Sequence, residues 1–456
     1  MFVNRESELS ALTAWEKGDA GRLGLLWGRR RVGKTALLQA FASTRRAVFH
    51  TAAARPVSDE LRLMSRAAAP ALDGQFRDLE RRPFADWDDA LETFAGAARD
   101  EPLLLVLDEF PELVRVTPEL PGTLRAFWDR ARGATKLRVL LCGSAVRTME
   151  AMQRERAPLY GRFDLSLLLH PFAPHEAAAM LPGLGPQERA LVYGLVGGVP
   201  LYLQWWEDGQ SVRENLRRLA CRPGGQLLTE GQLVLATEGD AGDLARLVLR
   251  AIAAGRTRHN EIEQAVRAEP GRTLERLVEL RLVERMIPVG EHPARTRRRT
   301  YRIADNFLAF WLGVLDRHRS AIERGLGDTI LPVVEEGLDD FMGERWEAAF
   351  RDHLTRLAAA GELGPDIVEI GRWWQDGPPV EIDAVALAGR QREAVLVGEA
   401  KWARRIDGGR LRRELESRAA RLPRVAPDVR YAVCAREAVD GSGDMLAVTA
   451  ADVFGG

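Results

Sequence analysis

The sequence predicts an α/β protein organised around a parallel sheet with helices on both faces, and three observations predict it. The first is Gly28-Arg29-Arg30-Arg31-Val32-Gly33-Lys34-Thr35, which fits G-x-x-x-x-G-K-[ST], the phosphate-binding loop. The second is its setting: the apolar run Leu23 to Trp27 enters it, and a helical pattern (Leu37, Leu38, Phe41) leaves it from Ala36. The third is that strand-like and helix-like stretches keep alternating to residue 169, as parallel strands joined by crossovers require.

Composition narrows the function classes. The chain has 456 residues, room for several domains, with hydrophobic and charged fractions of 46% and 29% that are ordinary for a globular protein. A net charge of −1 excludes a surface that is basic overall, so any polyanion site must be a local patch. Cys142, Cys221 and Cys434 are far apart and form no C-x-x-C, which argues against a disulfide framework and a cysteine zinc site. No apolar run approaches a membrane span and no signal segment opens the sequence, so the expectation is a cytoplasmic protein without a membrane partner.

In chain order, a short amphipathic helix (Leu9, Leu12, Trp15) precedes the first strand, and periodicity leaves open whether it covers a bound base or is an ordinary surface helix. In the phosphate loop, Gly28 and Gly33 let the backbone curl so that N–H groups face phosphate oxygens. Lys34 reaches the β- and γ-phosphates, and the Thr35 hydroxyl binds Mg²⁺. Lysine is scarce, only Lys17, Lys34, Lys136 and Lys401 among 65 basic residues, which disfavours a chance match. Ala47 to His50 reads as a second strand, followed by helical stretches from Val57 to about Leu79 and from Trp87 to Arg99. Leu103 to Leu107 is a buried strand closed by Asp108-Glu109, the Walker B pattern. Asp108 holds Mg²⁺ and Glu109 orients the attacking water. Leu137 to Cys142 is a fourth strand ending in Gly143-Ser144, where Ser144 could touch the γ-phosphate or simply make a turn. Leu165 to Leu169 is a fifth strand, and just before it Arg162 either reaches a γ-phosphate or makes a surface ion pair.

Residues 1–172 are thus read as a P-loop NTPase core and 173–220 as a helical lid. The next section, 221–312, is read as a linker (Cys221 to Asp243, rich in Gly and Thr) and a winged helix. Its helices are Leu244 to Ala254, His259 to Val266 and Arg272 to Leu280, and its hairpin strands are Leu282 to Val289 and Thr300 to Ile303. Arg295, Arg297, Arg298 and Arg299 at the hairpin tip could follow a phosphate backbone, although Glu275 and Glu279 on the third helix would repel one.

The last section, 313–456, carries a second constellation. Val380 to Leu387 and Ala394 to Trp402 are strands around a polar turn, and folding them together brings Asp383 opposite Glu399 with Lys401 on the same face. Two carboxylates can hold a divalent cation, with Lys401 holding water or stabilising developing charge and Glu347 on an earlier helix adding an acid. The alternative is a cross-strand ion pair on an exposed face. From Lys401 to Arg424, nine basic residues face three acidic ones, a track for nucleic acid. Trp373-Trp374 reads as core rather than as a stacking platform.

Two resemblances sharpen these expectations. Phe2-Val3-Asn4-Arg5-Glu6, the Gly28 to Thr35 loop, Leu107 to Pro111, Cys142-Gly143-Ser144, Leu159 to Arg162 and Gly197-Gly198-Val199-Pro200 resemble the archaeal-type ATPases of the STAND/AAA+ group. That resemblance implies that Pro200 lines the adenine pocket and Arg162 is a finger or sensor. The order helix-Glu347, strand-Asp383, Glu399-x-Lys401 resembles the PD-(D/E)xK nuclease core, with Glu381-Ile382-Asp383 where Pro-Asp is usual. This resemblance implies a restriction-endonuclease-like α/β domain, and the whole chain resembles an archaeal-type ATPase with the DUF234 type of C-terminal region that accompanies it, just before which stands Asp305 to Trp311. The combined expectation is ATP and Mg²⁺ as cofactors and DNA as partner, with a homo-oligomer or a partner protein left open. The rival is a nucleotide-driven switch whose nuclease-like domain is inert.

Overall fold

A computed structural model of the chain describes residues 3–72, 78–237, 242–364, 366–377 and 379–455. Phe2, residues 73–77 of the helical stretch expected after Val57, and residues 238–241 of the expected linker lie outside the described residues. The chain divides into two compact units, Met1–Pro171 and Phe172–Gly456.

In the first unit, five strands form one parallel sheet: β1 Arg22–Trp27, β2 Ala47–Thr51, β3 Leu103–Asp108, β4 Leu137–Gly143 and β5 Leu165–Leu168, in the order β2-β3-β4-β1-β5. Every residue of β3 and β4 is buried, because helices cover both faces of a parallel sheet. The two-residue period of a strand separates two cores. Leu23, Leu25, Leu105, Leu107, Val139 and Leu141 pack with Phe94, Phe127 and Trp128 on one face. Leu26, Leu104, Val106, Leu140 and Cys142 pack with Leu12, Leu37 and Phe41 on the other. The loops leaving β1, β3 and β4 all emerge at the strands' carboxyl ends, where ligands bind in open α/β sheets.

In the second unit, one core runs from Phe172 to Leu338 and joins the expected lid helices to the three helices Asp243–Ala253, His259–Val266 and Gly271–Glu279. These lead to an antiparallel hairpin, β6 Val283–Met286 and β7 Thr300–Ile303, the element order expected of a winged helix. The expected linker is corrected: Gln226–Thr237 is a helix. Its Gly231 lies under the Trp311 ring, where a Cβ would come within 2.2 Å, and Trp311 Nε1 donates to the Leu228 carbonyl at 2.9 Å. A glycine that reads as flexibility is a packing contact. The first hairpin strand is also shorter than expected, because Val289 N–H pairs with the Arg372 carbonyl instead.

Beyond this lies a mixed sheet: β8 Ile367–Asp376, β9 Pro379–Ala388, β10 Glu393–Ala400, β12 Val425–Cys434 and β14 Leu446–Val448, with β11 Arg405–Asp407 and β13 Ala438–Asp440 paired beside it. Strands β8, β9 and β10 are antiparallel; β10, β12 and β14 are parallel. The helix Leu338–Ala359 packs Trp346, Phe350 and Leu354 on one face. The helix Gly408–Ala419 packs Leu411 and Leu415 on the other. Trp373 and Trp374 are buried, as a core reading expects.

Candidate functional site

The phosphate loop is built by two close approaches. A Cβ on Gly28 would lie 2.4 Å from the Leu169 carbonyl oxygen, so only glycine lets the loop leave β1 here. Gly33 adopts φ 91, a left-handed conformation favourable to glycine, and turns the chain into the helix Lys34–Ala42. Lys34 is buried, and its ammonium donates to the carbonyls of Gly28 at 3.0 Å and Arg29 at 2.8 Å, so the loop wraps its own cation. Val32 is fully buried beneath the loop.

Arg5, to which sequence motifs assign no role, braces the loop. It is buried, and one guanidinium nitrogen donates to the Val32 carbonyl at 3.0 Å and the His170 carbonyl at 2.8 Å, tying the phosphate loop to the segment after β5. Glu8 pairs with it at 2.8 Å.

The Walker B residues meet this loop directly. Thr35 Oγ1 donates to Asp108 Oδ2 at 2.8 Å, and Asp108 Oδ1 accepts from the Glu109 N–H at 3.0 Å. Glu109 has φ 51, and its carboxylate accepts from Ser144 Oγ at 3.0 Å. Ser144 therefore meets the candidate base across the ends of β3 and β4. The buried Cys142 thiol is pushed far up by desolvation and by the Asp108 charge. Arg162 makes a two-pronged ion pair with Asp129, at 2.7 and 2.8 Å, and donates to the Tyr160 carbonyl at 3.0 Å. Pro200 opens the short helix Pro200–Gln204 of the second unit.

In the mixed sheet, the hairpin register brings the second constellation together. Gly398 pairs with Ala384, and Asp383 Oδ2 accepts from the Ala400 N–H at 2.9 Å. Asp383 and Glu399 are both buried. Lys401 Nζ lies 2.6 Å from Glu399 Oε1, and Arg418 lies 2.7 Å from Glu399 Oε2, so each oxygen of Glu399 has a cation. Burial disfavours the Lys401 ammonium, but the Glu399 hydrogen bond and the charges of Glu399, Asp383 and Glu347 outweigh it and raise its pKa. Burial first, and then the Glu399 charge, raise Asp383. Burial and the Asp383 charge likewise raise Glu347, whose Oε2 is buried without a hydrogen-bond partner and 3.8 Å from Arg351. Among the described residues, no group of three or more His, Cys, Asp or Glu is gathered so as to hold a metal ion.

The expected basic track from Lys401 to Arg424 is largely neutralised. Arg404, Arg405, Arg410, Arg412 and Arg418 are paired with Glu437, Asp440, Glu414, Glu416 and Glu399. On the hairpin tip, Arg298 donates to the Trp374 carbonyl at 2.7 Å and pairs with Glu291, whereas Arg299 donates to the Pro293 carbonyl at 3.0 Å. No described helix is long and apolar enough to cross a membrane.

Comparisons with known proteins find relatives of both sequence and fold. An uncharacterised protein of Methanocaldococcus jannaschii is 27% identical over 413 residues, covering 88% of each chain. A Walker-type ATPase of Pyrococcus abyssi has the same fold over 68% of this chain and 96% of its own, with 20% identity and a TM-score of 0.52. The Aeropyrum pernix ORC2 protein aligns over 71% of this chain and 95% of its own, with 15% identity and a TM-score of 0.42. Residues 311–417 match a family of archaeal and bacterial proteins of unknown function, DUF234. Residues 2–205 match the family described as an ATPase domain predominantly from Archaea, so the chain carries an ATPase domain of the archaeal type.

Proposed function

We propose that the chain is a Mg²⁺-dependent ATPase that acts on DNA through its second unit. The observation that carries the ATPase reading is the 2.8 Å contact between Thr35 and Asp108, which joins the phosphate loop to the Walker B strand. The residues present fit a Mg-nucleotide: hard oxygen donors at Thr35 and Asp108 and a buried ammonium at Lys34. Thr35 and Asp108 would hold Mg²⁺, which when bound neutralises charge on the phosphates. Lys34 exchanges its two carbonyl partners for phosphate oxygens. Glu109, oriented by Ser144, holds the attacking water and draws on its proton. Arg162 contributes only after leaving Asp129.

In the second unit, Asp383 and Glu399 are the acid pair that would hold a divalent cation, which Glu347 would join only after a rearrangement because the three are not gathered as a metal site, with Lys401 beside Glu399 to steady developing charge at a phosphodiester. Phosphodiester cleavage is the reading that the resemblance to the nuclease core favours. The opposing observation is that Lys401 and Arg418 already occupy both oxygens of Glu399, which favours the inert domain of a nucleotide-driven switch.

Two assays separate these readings. ATP binding and turnover should both be lost in Lys34→Ala, and retained binding in that variant would defeat the ATPase reading. Plasmid and single-strand cleavage with Mg²⁺ or Mn²⁺ should be lost in Lys401→Ala. No cleavage by the wild-type protein, with ATP turnover intact, would leave the switch.

A further inference from the structure

The start of the helix His259–Val266, the hairpin tip and the end of β8 border an open cavity of about 520 Å³ within the second unit. Four arginines, Arg258, Arg297, Arg298 and Arg299, line it together with Trp374, and Asp376 is the one acidic residue of its lining. We infer that this cavity is a binding site for the phosphomonoester of one nucleotide, such as the phosphorylated end of a nucleic-acid strand. The inference deepens the DNA reading above and rests on it for the identity of the polymer.

The charge arrangement selects the ligand class. Asp376 is answered by Arg258 at 2.6 Å, and Arg298 is held by Glu291 and the Trp374 carbonyl. Among the described residues, Arg297 and Arg299 have no carboxylate partner, and the Arg299 Nε is buried without a hydrogen-bond partner. Two arginines of the lining therefore carry charges that no carboxylate answers, Arg299 meeting only the Pro293 carbonyl. Arginine presents a planar fork of donors that matches phosphate oxygens two at a time. A terminal phosphomonoester carries roughly −1.5 to −2 charge at neutral pH and three acceptor oxygens, whereas a phosphodiester within a strand carries one charge. The volume falls within the ~300–1,000 Å³ usual for small-ligand sites, enough for one nucleotide and far too little for a duplex. The cavity would thus grip an end, while the duplex or strand continues outside it.

The test uses the full chain and a short fluorescent single strand with or without a 5′-phosphate, followed by anisotropy. The phosphorylated strand should bind about tenfold or more tightly, as charge-assisted bidentate contacts imply. Arg297→Ala/Arg299→Ala should erase that preference while circular dichroism and the melting curve stay those of the wild type. The comparison in the wild-type protein decides even if the variant fails to fold: equal affinity for the two strands overturns the inference. Displacement of the phosphorylated strand by a free nucleoside 5′-monophosphate at comparable concentration supports the site and identifies its ligand as the free nucleotide. Plasmid binding and cleavage are measured in parallel. Plasmid binding without a phosphate preference defeats this inference alone, and a phosphate preference matched in full by a free nucleoside 5′-monophosphate, without plasmid binding or cleavage, defeats only the broader DNA reading.

Discussion

Glu109 holds a backbone conformation, φ 51 and ψ 44, that few residues other than glycine adopt, and strain of this kind costs about 1–3 kcal/mol. What it gains is a carboxylate turned toward Ser144 at 3.0 Å, beside the Asp108 that meets Thr35. If Glu109 draws the proton from water, Glu109→Gln should keep nucleotide affinity and lower the turnover number by ~10²–10⁴-fold. A titration of nucleotide binding beside steady-state ATP hydrolysis checks this, and a variant with wild-type turnover would remove Glu109 from the mechanism. The positions of Lys34, Thr35, Asp108 and Glu109 at the ends of β1 and β3 were legible in the sequence because local spacing sets them. The work of Arg5 was not, because its acceptors at Val32 and His170 lie 27 and 165 residues away and are carbonyls, which leave no side-chain signature. Arg162 shows the converse limit. Of the two partners that its neighbourhood in the sequence leaves open, a phosphate or a surface acid, the fold shows the second, Asp129 on the helix Leu120–Ala131, which spacing could not name.

Strands were more legible than linkers, for a reason that Gly231 makes concrete. β3 and β4 are continuous apolar runs, which a doubly covered parallel sheet demands, so composition alone marks them. The helix Gln226–Thr237 carries Gly and Thr, residues that favour loops in isolation, and it persists because Leu227, Leu228 and Val234 are buried and Trp311 covers its glycine. Tertiary packing overrides local propensity here. The two readings predict opposite signs for Gly231→Ala. In a linker the substitution would stabilise by about 0.4–1 kcal/mol through the unfolded chain. Against the Trp311 ring it should destabilise by about 1–3 kcal/mol through overpacking. Urea unfolding followed by tryptophan fluorescence gives the sign. The hairpin β9–β10 was legible because its turn and its alternation agree, and the approach of Asp383 to the Glu399 segment follows from that register. The cations on Glu399 were only half visible: Lys401 is two residues away, whereas Arg418 arrives from the helix Gly408–Ala419.

Stability of the whole molecule should carry a pH signature from a group outside both candidate sites. His353, on the helix Leu338–Ala359, is 6% exposed, and its Nδ1 lies 3.2 Å from an Arg356 nitrogen, so the neutral ring accepts that hydrogen bond. Burial first, and then the Arg356 charge, lower its pKa from 6.5 to about 4. The sign follows from proton uptake. Between pH 6.5 and about 4 the unfolded chain binds a proton at this position and the folded one does not, so the contribution is fully present above 6.5 and is lost as pH falls toward 4. A shift of this size corresponds to about 3 kcal/mol at most. Other groups titrate in the same window, so the informative quantity is the difference between two proteins. His353→Gln keeps a side-chain acceptor for Arg356 and removes the titration. Its unfolding free energy, measured by denaturant at several pH values from 7 down to 4.5, should fall less steeply than that of the wild type, whatever its absolute stability. Parallel slopes would mean that His353 takes up its proton without unfolding, and that the helix Leu338–Ala359 can open locally to water while the sheet beneath it stays intact.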